Sequence, residues 1–265
     1  MSIELNTAKV LVTGATGGIG EVIARTFAAR GASVVVTGRR VDVLQPLADE
    51  LGATAVAADL SDRSAVERLA DEHGDVDIVI HNAALPASGA LDDYTVEQTE
   101  RALQVNLAAP IVLTQLLLPG MKQRGRGHHV YVSSMAAKVP TADTSLYTAT
   151  KLGLRGFAQS LRLELAPFHI GVSTVFPGFI RDAGMFADTE ITLPRGVGTN
   201  TPEEVAAGVL KAVTDNRGEV DVAPLVVRAG GTLNALVPGL PARLGRRFGA
   251  DDITATLVER QREKR

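Results

Sequence analysis

A tyrosine and a lysine four positions apart, Tyr147 and Lys151, are the two side chains in this sequence best suited to proton transfer. In a helix that spacing places both on one face. A phenol with an ordinary pKa of about 10 is a poor acid–base group at neutral pH, but a nearby positive charge lowers that pKa. Tyr147 would then exchange a proton with an alcohol or a ketone. Amphipathic helices often show this spacing by chance, so the surrounding motifs decide its meaning.

Ser134 lies upstream of this pair, at the end of the apolar run Val130-Tyr131-Val132-Ser133. We interpret that run as a buried strand. A hydroxyl group at the carboxyl end of a strand faces the crevice in which open α/β sheets bind ligands. The sequence therefore predicts that Ser134 faces a ligand site.

A glycine-rich turn, Thr13-Gly14-Ala15-Thr16-Gly17-Gly18-Ile19-Gly20, follows an apolar strand and opens a helix near the start of the chain. Its spacing is wider than that of the usual dinucleotide fingerprint. The amino terminus of a helix binds phosphate, and only glycine at positions 14 and 20 lets the backbone approach a pyrophosphate. The loop has no lysine before a serine or threonine, which excludes a P-loop for nucleoside triphosphates.

The ordered set of Thr-Gly-x-x-x-Gly-x-Gly, Asn82-Ala83-Ala84, Asn106, Ser134, Tyr-x-x-x-Lys and Pro177-Gly178 resembles the classical short-chain dehydrogenase/reductase family. The resemblance implies that Tyr147 is the acid–base residue and that Ser134 hydrogen-bonds the substrate oxygen. It implies that Lys151 binds the nicotinamide ribose and lowers the pKa of the tyrosine. Asn106 matches an asparagine whose backbone holds a water that leads protons to the lysine. Two hydroxyl donors near a ketone oxygen would stabilise the charge that hydride transfer builds there.

The resemblance also implies a set of cofactor contacts along the chain. The expected cofactor-binding residues are Gly14, Thr16, Gly18, Ile19, Gly20, Arg39, Asp59, Leu60, Asn82, Ala83, Tyr147, Lys151, Pro177, Gly178 and Ile180. Asp59-Leu60 matches the pair that contacts adenine. A helix N-cap is the competing interpretation of Asp59, and the two roles are compatible.

Two positions depart from the family pattern. His81-Asn82-Ala83-Ala84 stands where the family has Asn-Asn-Ala-Gly, so a turn glycine is missing. Asp182 stands where many members have a threonine that holds the nicotinamide amide, and we assign it no role. Backbone groups of Ile180 remain able to hold that amide.

The end of the second strand predicts which nicotinamide cofactor binds. NAD enzymes of this fold usually place an acidic residue there, which accepts hydrogen bonds from the ribose 2′-hydroxyl. In Val36-Thr37-Gly38-Arg39-Arg40 the acid is missing, and Gly38 occupies its place. A guanidinium grips a phosphate with two parallel hydrogen bonds, so Arg39 suits a 2′-phosphate and predicts a preference for NADP(H) over NAD(H). Arg40 either assists or only begins the next helix, and Asp42 lies too far along to replace the acid.

Alternating apolar runs and helical periodicities predict the fold. We predict strands over residues 8–13, 33–37, 54–57, 77–81, 128–133, 171–176 and 219–223, and helices over 20–30, 41–51, 63–73, 96–123, 147–168 and 203–214. Ser61 and Asp62 are the candidate caps of the third helix, and Thr201 caps the last. This alternation predicts an α/β fold, a doubly wound parallel sheet with helices on both faces (a Rossmann fold), in a single domain over residues 1–265.

Two segments lie outside this alternation. Residues 177–202 are rich in proline and glycine, which predicts a flap that closes over substrate. Residues 225–248 are apolar with interspersed arginines, which suits a lid over the substrate or a surface for a membrane or apolar partner, and we favour the lid. Pro238 and Pro241 interrupt any long amphipathic helix there. The charged remainder, up to residue 265, is expected to be a solvated tail.

The composition narrows the function classes. The 265-residue chain is 45% hydrophobic, has a net charge of -3 and contains no cysteine. Thiolate chemistry is excluded, and nucleic acid is not the expected partner. The five histidines lack ligand spacing, so no metal is expected. Asp92-Asp93 and Asp251-Asp252 fit solvated loops better than glycosidase carboxylates. Without a signal peptide or an 18-residue apolar run, a cytoplasmic protein without membrane contact is the default.

The sequence thus predicts an NADP(H)-dependent oxidoreductase that interconverts a secondary alcohol and a ketone on a small to medium apolar substrate. The alternative is a dinucleotide-binding sensor without turnover, against which the complete set of Ser134, Tyr147 and Lys151 argues. A homodimer through the two long helices is also expected, because their leucines exceed one core-facing stripe. These are Leu103, Leu107, Leu113, Leu116 and Leu117. A thick core is the competing explanation.

Overall fold

One parallel sheet organises the computed structural model, which describes residues 3–182, 198–240 and 259. The strands are β1 (Lys9–Thr13), β2 (Ser33–Gly38), β3 (Thr54–Ala57), β4 (Ile78–His81), β5 (Gly127–Val132), β6 (Ile170–Pro177) and β7 (Glu219–Val222). They pair in the order β3-β2-β1-β4-β5-β6-β7, and all pairs are parallel. The doubly wound α/β fold is therefore confirmed. Its order reverses between β1 and β4, where such sheets open a ligand crevice at the strands' carboxyl ends.

Helices cover both faces of this sheet. They are α1 (Gly18–Ala28), α2 (Val41–Leu51), α3 (Arg63–Glu72), α4 (Val96–Leu103), α5 (Ala109–Arg124), α6 (Ser145–Leu165), α7 (Pro202–Thr214) and α8 (Leu225–Leu236). Apolar side chains of α1, α2 and α7 bury one face, and those of α3, α5 and α6 bury the other. This two-sided burial explains why the central strands read as continuous apolar runs.

The expected helix over residues 96–123 is interrupted by a π-helical turn, Gln104–Ala108. This turn separates α4 from α5 and carries Asn106. Such turns add a residue to the helix and often occur at functional sites. By length and hydropathy the whole helix, Val96–Arg124, would suffice to cross a membrane, and 44% of its most apolar window is buried inside the protein. Leu113 and Leu117 account for part of that burial, as expected for a core helix.

The segments expected to form the flap and the lid lie near the carboxyl edge. Residues 225–236 form α8, which ends just before Pro238, in agreement with the interruption expected at the prolines. These prolines lie at and beyond Pro238, after α8 has ended, so its backbone hydrogen bonds are unaffected. The base of the expected flap is closed by two backbone hydrogen bonds, from Arg181 to Asn200 and from Asn200 to Phe179. The middle of the flap and the charged tail after Glu259 lie outside the described residues.

Candidate active site

Ser134, Tyr147 and Lys151 meet at the carboxyl end of β5. Ser134 is the second residue after the strand and caps a short turn, Met135–Ala137, by accepting a hydrogen bond from the Ala136 amide at 3.2 Å. The first turns of α6 bring Tyr147 close enough for the Ser134 hydroxyl to act on the pKa of its phenol. Lys151 is buried, and its Nζ donates to the carbonyl oxygen of Val132 at 3.0 Å. The predicted convergence of the three side chains is therefore present.

Burial controls the proton affinities of this trio. It lowers the pKa of the Lys151 ammonium to about 8, so this group is mostly protonated at neutral pH. Burial raises the pKa of the Tyr147 phenol, and the hydrogen bond with Ser134 acts in the opposite direction. The expected net lowering by Lys151 was wrong for this structure. Lys151 Nζ lies 5.7 Å from the centre of the Tyr147 ring, and desolvation of the phenolate has the largest effect on the pKa of Tyr147.

Asn106 uses its whole side chain to hold the backbone of Leu85. Its Oδ1 accepts from the Leu85 amide at 2.7 Å, and its Nδ2 donates to the Leu85 carbonyl at 2.9 Å. The residue is completely buried. The side chain is therefore committed to holding the Leu85 backbone. Any part in proton transfer falls to its backbone within the π-helical turn, as the family resemblance implied.

The turn after β1 has room for glycine alone at two positions. Gly14 has a φ of 68°, and a Cβ atom there would lie 2.7 Å from Ala83 Cα. A Cβ atom on Gly20 would lie 2.3 Å from the carbonyl oxygen of Gly14. Both distances are shorter than any real contact. The turn is thus packed tightly against β4, with Gly18 and Ile19 in the first turn of α1, where helix amides bind phosphate.

Asn82 joins the ends of β1 and β4. Its Nδ2 donates to the carbonyls of Thr13 and Gly14, each at 3.1 Å. The hydroxyl of Thr13 accepts from the amides of Asn82 and Ala83 at 3.0 and 3.1 Å. Ala84 does not have a positive φ, so the missing family glycine leaves this turn unstrained.

Two arginines follow β2 beside the glycine-rich turn. Arg39 is exposed, while the guanidinium of Arg40 donates to the carbonyl oxygen of Thr16. Arg40 is the exposed N-cap of α2, so it begins the next helix as one interpretation expected, and its guanidinium also contacts the glycine-rich turn. A Cβ atom on Gly38 would lie 2.8 Å from Thr16 Cγ2, so an acidic side chain at position 38 would displace the threonine. This packing explains why glycine ends the strand.

Asp59 and Leu60 follow β3 at the same edge. Asp59 Oδ1 accepts from the amide and hydroxyl of Ser61 at 2.9 and 2.8 Å, and Leu60 is buried. Burial acts to raise the pKa of Asp59, but these hydrogen bonds and the charges of Arg39 and Arg101 outweigh it and leave the pKa below its usual value. The helix-cap interpretation of Asp59 was wrong. The cap of α3 is Asp62, which lies three residues after Asp59. Its side chain accepts a hydrogen bond from the Ser64 amide.

The segment after β6 supplies the last expected cofactor residues. Pro177 ends the strand, and the Gly178 amide donates to the Val222 carbonyl at 2.9 Å. Ile180 is buried in the core and forms an isolated bridge with Asn200. Asp182 is exposed, has a φ of 69° and pairs with Arg181 at 3.4 Å. A left-handed backbone favours aspartate over threonine, because an Asx side chain tolerates αL better than a β-branched one.

A buried polar cluster that sequence reasoning missed lies on the α5 side of β4 and β5. His81 Nε2 lies 3.2 Å from His129 Nδ1, and the rings of His81 and Tyr131 stack at 4.6 Å. Thr114 bonds Tyr131 at 2.7 Å. His128 points to the opposite face, as alternation predicts, and bonds Ser173 at 2.7 Å. Within the described residues no group of three or more His, Asp or Glu side chains forms a metal site.

Comparisons with known proteins agree with this geometry. A sequence profile described as short chain dehydrogenase matches residues 8–193. A ketoacyl reductase, HetN, of Nostoc sp. is 34% identical over 222 residues, which are 80% of this chain and 77% of that protein. A dehydrogenase/reductase SDR family member 7B of Xenopus tropicalis is 36% identical over 256 residues, 88% of this chain and 83% of that protein.

A solved structure matches the fold over most of both chains. It is a short-chain dehydrogenase from Sphingobium yanoikuyae in complex with NADPH, with a TM-score of 0.78 and 28% identity. The match covers 88% of this chain and 94% of that one. The sheet order, the glycine-rich turn, the converged Ser134, Tyr147 and Lys151, and these matches lead to one conclusion. The chain belongs to the short-chain dehydrogenase/reductase family and is an oxidoreductase of that family.

Proposed function

We propose that this enzyme uses NADP(H) to interconvert a secondary alcohol and a ketone on a small to medium apolar substrate. The observation that carries the proposal is the convergence of Ser134 and Tyr147 at the carboxyl end of β5, with buried Lys151 beside them. Two hydroxyl groups that converge on one point are arranged to bind one carbonyl oxygen. A protein that only senses a dinucleotide has no need for all three side chains.

The residues at the carboxyl edge fit a dinucleotide. A Cβ atom at Gly14 or Gly20 would clash with neighbouring backbone atoms. Glycine therefore permits the tight turn at the start of α1, where backbone amides would meet a pyrophosphate. When bound, the nicotinamide supplies or accepts the hydride. Lys151 would hold the nicotinamide ribose, and Asp59 with Leu60 would border the adenine.

The side chains divide the proton chemistry between them. In reduction, Tyr147 donates its proton to the developing alkoxide, and Ser134 donates a hydrogen bond to the same oxygen. Lys151 is mostly protonated at neutral pH, so its charge stabilises the phenolate that forms on Tyr147. In oxidation the steps reverse, and Tyr147 accepts the proton of the alcohol.

The NADP(H) preference rests on the end of β2. Arg39 is exposed at the carboxyl edge, and Arg40 is tied to the glycine-rich turn through Thr16. A side chain at position 38 would have to displace that of Thr16, so Gly38 does not supply the carboxylate typical of NAD enzymes and the packing disfavours one there. NADPH in the Sphingobium yanoikuyae structure supports the same choice.

An apolar substrate is favoured by the surroundings of Ser134. Met135, Phe176 and Ala223 form a small buried cluster there, against which Val227 of α8 packs. We therefore infer that α8 serves as the lid expected from residues 225–248. The related ketoacyl reductase points to 3-oxo compounds as the first candidates.

The decisive experiment is a screen with purified enzyme. NADPH absorbance is followed with ethyl acetoacetate, acetoacetyl-coenzyme A, cyclohexanone and a long-chain 2-ketone, and NADP+ reduction is followed with the matching alcohols. We expect turnover with at least one apolar ketone and faster turnover with NADPH than with NADH. Tight NADPH binding without turnover of any ketone or alcohol would favour the sensor instead.

We also propose a homodimer formed through α4, α5 and α6. Leu113 and Leu117 are buried in the core, so the thick-core explanation accounts for them. Other apolar side chains on these helices are at least 37% exposed: Val96, Leu103, Leu116, Leu152 and Leu163. Exposed apolar residues gathered on adjacent helices are typical of an interface between subunits.

A further inference from the structure

The edge strand β7 places two carboxylates behind the active site. Its sequence Glu-Val-Asp-Val alternates, so Glu219 and Asp221 share one face of the sheet. Val220 and Val222 turn to the other face and pack in the core beneath α7. The two carboxylates therefore lie on the side of the sheet that α6 covers.

Glu219 is bound firmly to α6. Arg155 Nε lies 2.7 Å from Glu219 Oε1, and Arg155 Nη2 lies 3.2 Å from Oε2. Gln159 adds a hydrogen bond to Oε1 at 2.9 Å. Bidentate pairing of this kind fixes orientation as well as distance. Arg155 stands one helical turn after Lys151, so Glu219 holds the part of α6 next to the catalytic residues.

The same carboxylate is bound to the turn that Ser134 caps. Lys138 directly follows this turn, and its Nζ lies 3.0 Å from Glu219 Oε2 and 2.5 Å from Asp221 Oδ1. The Lys138 side chain is only 11% exposed, so water screens these ion pairs weakly. Glu219 thus joins two cations that belong to the two segments carrying the catalytic hydroxyls.

Phe176 fills the space between these cations. It is completely buried at the end of β6, with Lys138 Nζ 4.0 Å and Arg155 Cζ 5.5 Å from the centre of its ring. Cations at these distances are attracted to an aromatic ring. The ring therefore limits how far either cation can shift when the carboxylate is altered.

We propose that Glu219 is a positioning residue that fixes the Ser134 turn relative to α6 and thereby holds the hydroxyls of Ser134 and Tyr147 in place for the reaction. The proposal deepens the proposed function, because it rests on the catalytic roles assigned to these two hydroxyls. Glu219 itself reaches neither substrate nor cofactor in this account. It acts through Lys138 on one side and Arg155 on the other.

The test compares Glu219→Gln with the parent enzyme. Glutamine keeps the shape of the side chain but removes the charge that Lys138 and Arg155 share. The hydrogen bond with Ser134 lowers the pKa of Tyr147, so a loosened turn should raise that pKa. We measure it by near-ultraviolet titration, with Tyr147→Phe to identify its share of the signal. We also expect kcat for ketone reduction to fall about 10-fold, while NADPH affinity measured by fluorescence stays within about 2-fold.

Variants of Arg155 test the connection between Glu219 and α6. Arg155→Met should raise the pKa of Tyr147 as Glu219→Gln does. Arg155→Lys keeps the positive charge, so its Tyr147 pKa should lie close to that of the parent enzyme. The double variant Glu219→Gln/Arg155→Met should be no worse than either single variant, since both break one unit. Additive losses would show that the two residues act separately, which overturns the proposal.

Asp77→Asn is the matched control. It breaks the ion pair between Asp77 and Arg126, which lies just before β4 and β5 at the amino edge of the sheet. We expect this control to lower Tm without changing the Tyr147 titration or kcat. If Glu219→Gln behaves like Asp77→Asn, the network is only structural and the proposal is wrong. The titration needs no substrate, so a failure of the proposed reaction stays distinguishable from a failure of this inference.

Discussion

At the scale of single residues, the chemistry depends on one transferable proton. Tyr147→Phe removes that proton and leaves the ring, so we expect kcat to fall by at least about 10²–10⁴-fold. NADPH affinity should change little, because the phenol oxygen is the only atom lost. The measurement pairs steady-state rates on the best ketone of the screen with a fluorescence titration of NADPH. Near-normal turnover in this variant would remove Tyr147 from the mechanism.

Cofactor choice is decided by another single residue, Arg39. Arg39→Ala should weaken NADP(H) binding and leave NAD(H) binding nearly unaffected, because only the 2′-phosphate needs the guanidinium. The parent enzyme's preference should also decline with added salt, since part of it is charge attraction. Calorimetric titration with both cofactors checks this.

The control for Arg39 is Arg30→Ala. Arg30 is an exposed arginine just after α1, at the other end of that helix from the glycine-rich turn. The Arg30→Ala variant should bind both cofactors with the affinities of the parent enzyme. Equal weakening of NADPH and NADH by Arg39→Ala, or a parent preference for NADH, would contradict the assignment.

At the scale of elements, β5 makes stability sensitive to acid. Burial lowers the pKa of both His128 and His129 to about 3, against an ordinary value of 6.5. Below pH 6.5 the unfolded chain gains protons that the folded chain does not bind, so stability falls as pH decreases and is fully present above that pH. Each of these histidines should lower the free energy of unfolding by up to about 1.4 kcal/mol for each pH unit below 6.5.

Urea unfolding at a series of pH values between about 7 and 5 checks this expectation. His129→Phe keeps a flat ring beside Tyr131 and removes one proton site, so its unfolding free energy should fall less steeply with pH. His129 suits this test because its Nε2 is buried without a hydrogen-bond partner. His169→Asn is the control, because His169 is exposed and its positive φ suits asparagine. An unchanged slope for His129→Phe would refute the account.

At the scale of the whole molecule, exposed leucines on α6 test the dimer. Leu152 and Leu163 are 49% and 79% exposed, and their spacing of three helical turns places them on one face. We expect light scattering to show a dimer at micromolar concentration. Leu152→Glu with Leu163→Glu should give a folded monomer, because two charges would be buried at the interface. The control Leu236→Glu, on the exposed end of α8, should remain dimeric, and a monomeric parent enzyme would exclude the proposal.

The sequence by itself determined the features that depend on local spacing. Turn residues, helix caps and apolar periodicity act over a few positions, so α2 and β3 match their predicted bounds and Thr201 caps α7 as expected. The glycine-rich turn and the Tyr147–Lys151 spacing are local in the same sense. The family resemblance added the partnership of Ser134 with this pair.

Only the tertiary structure decided what depends on contacts between distant segments. Whether burial or the Lys151 charge dominates the pKa of Tyr147 depends on how the whole site is covered. The contact of His81 with His129 follows from strand register, since β4 and β5 bring them to one face. Glu219 meets Lys138 and Arg155 because β7 is the edge strand beside α6, and no spacing along the chain encodes that neighbourhood.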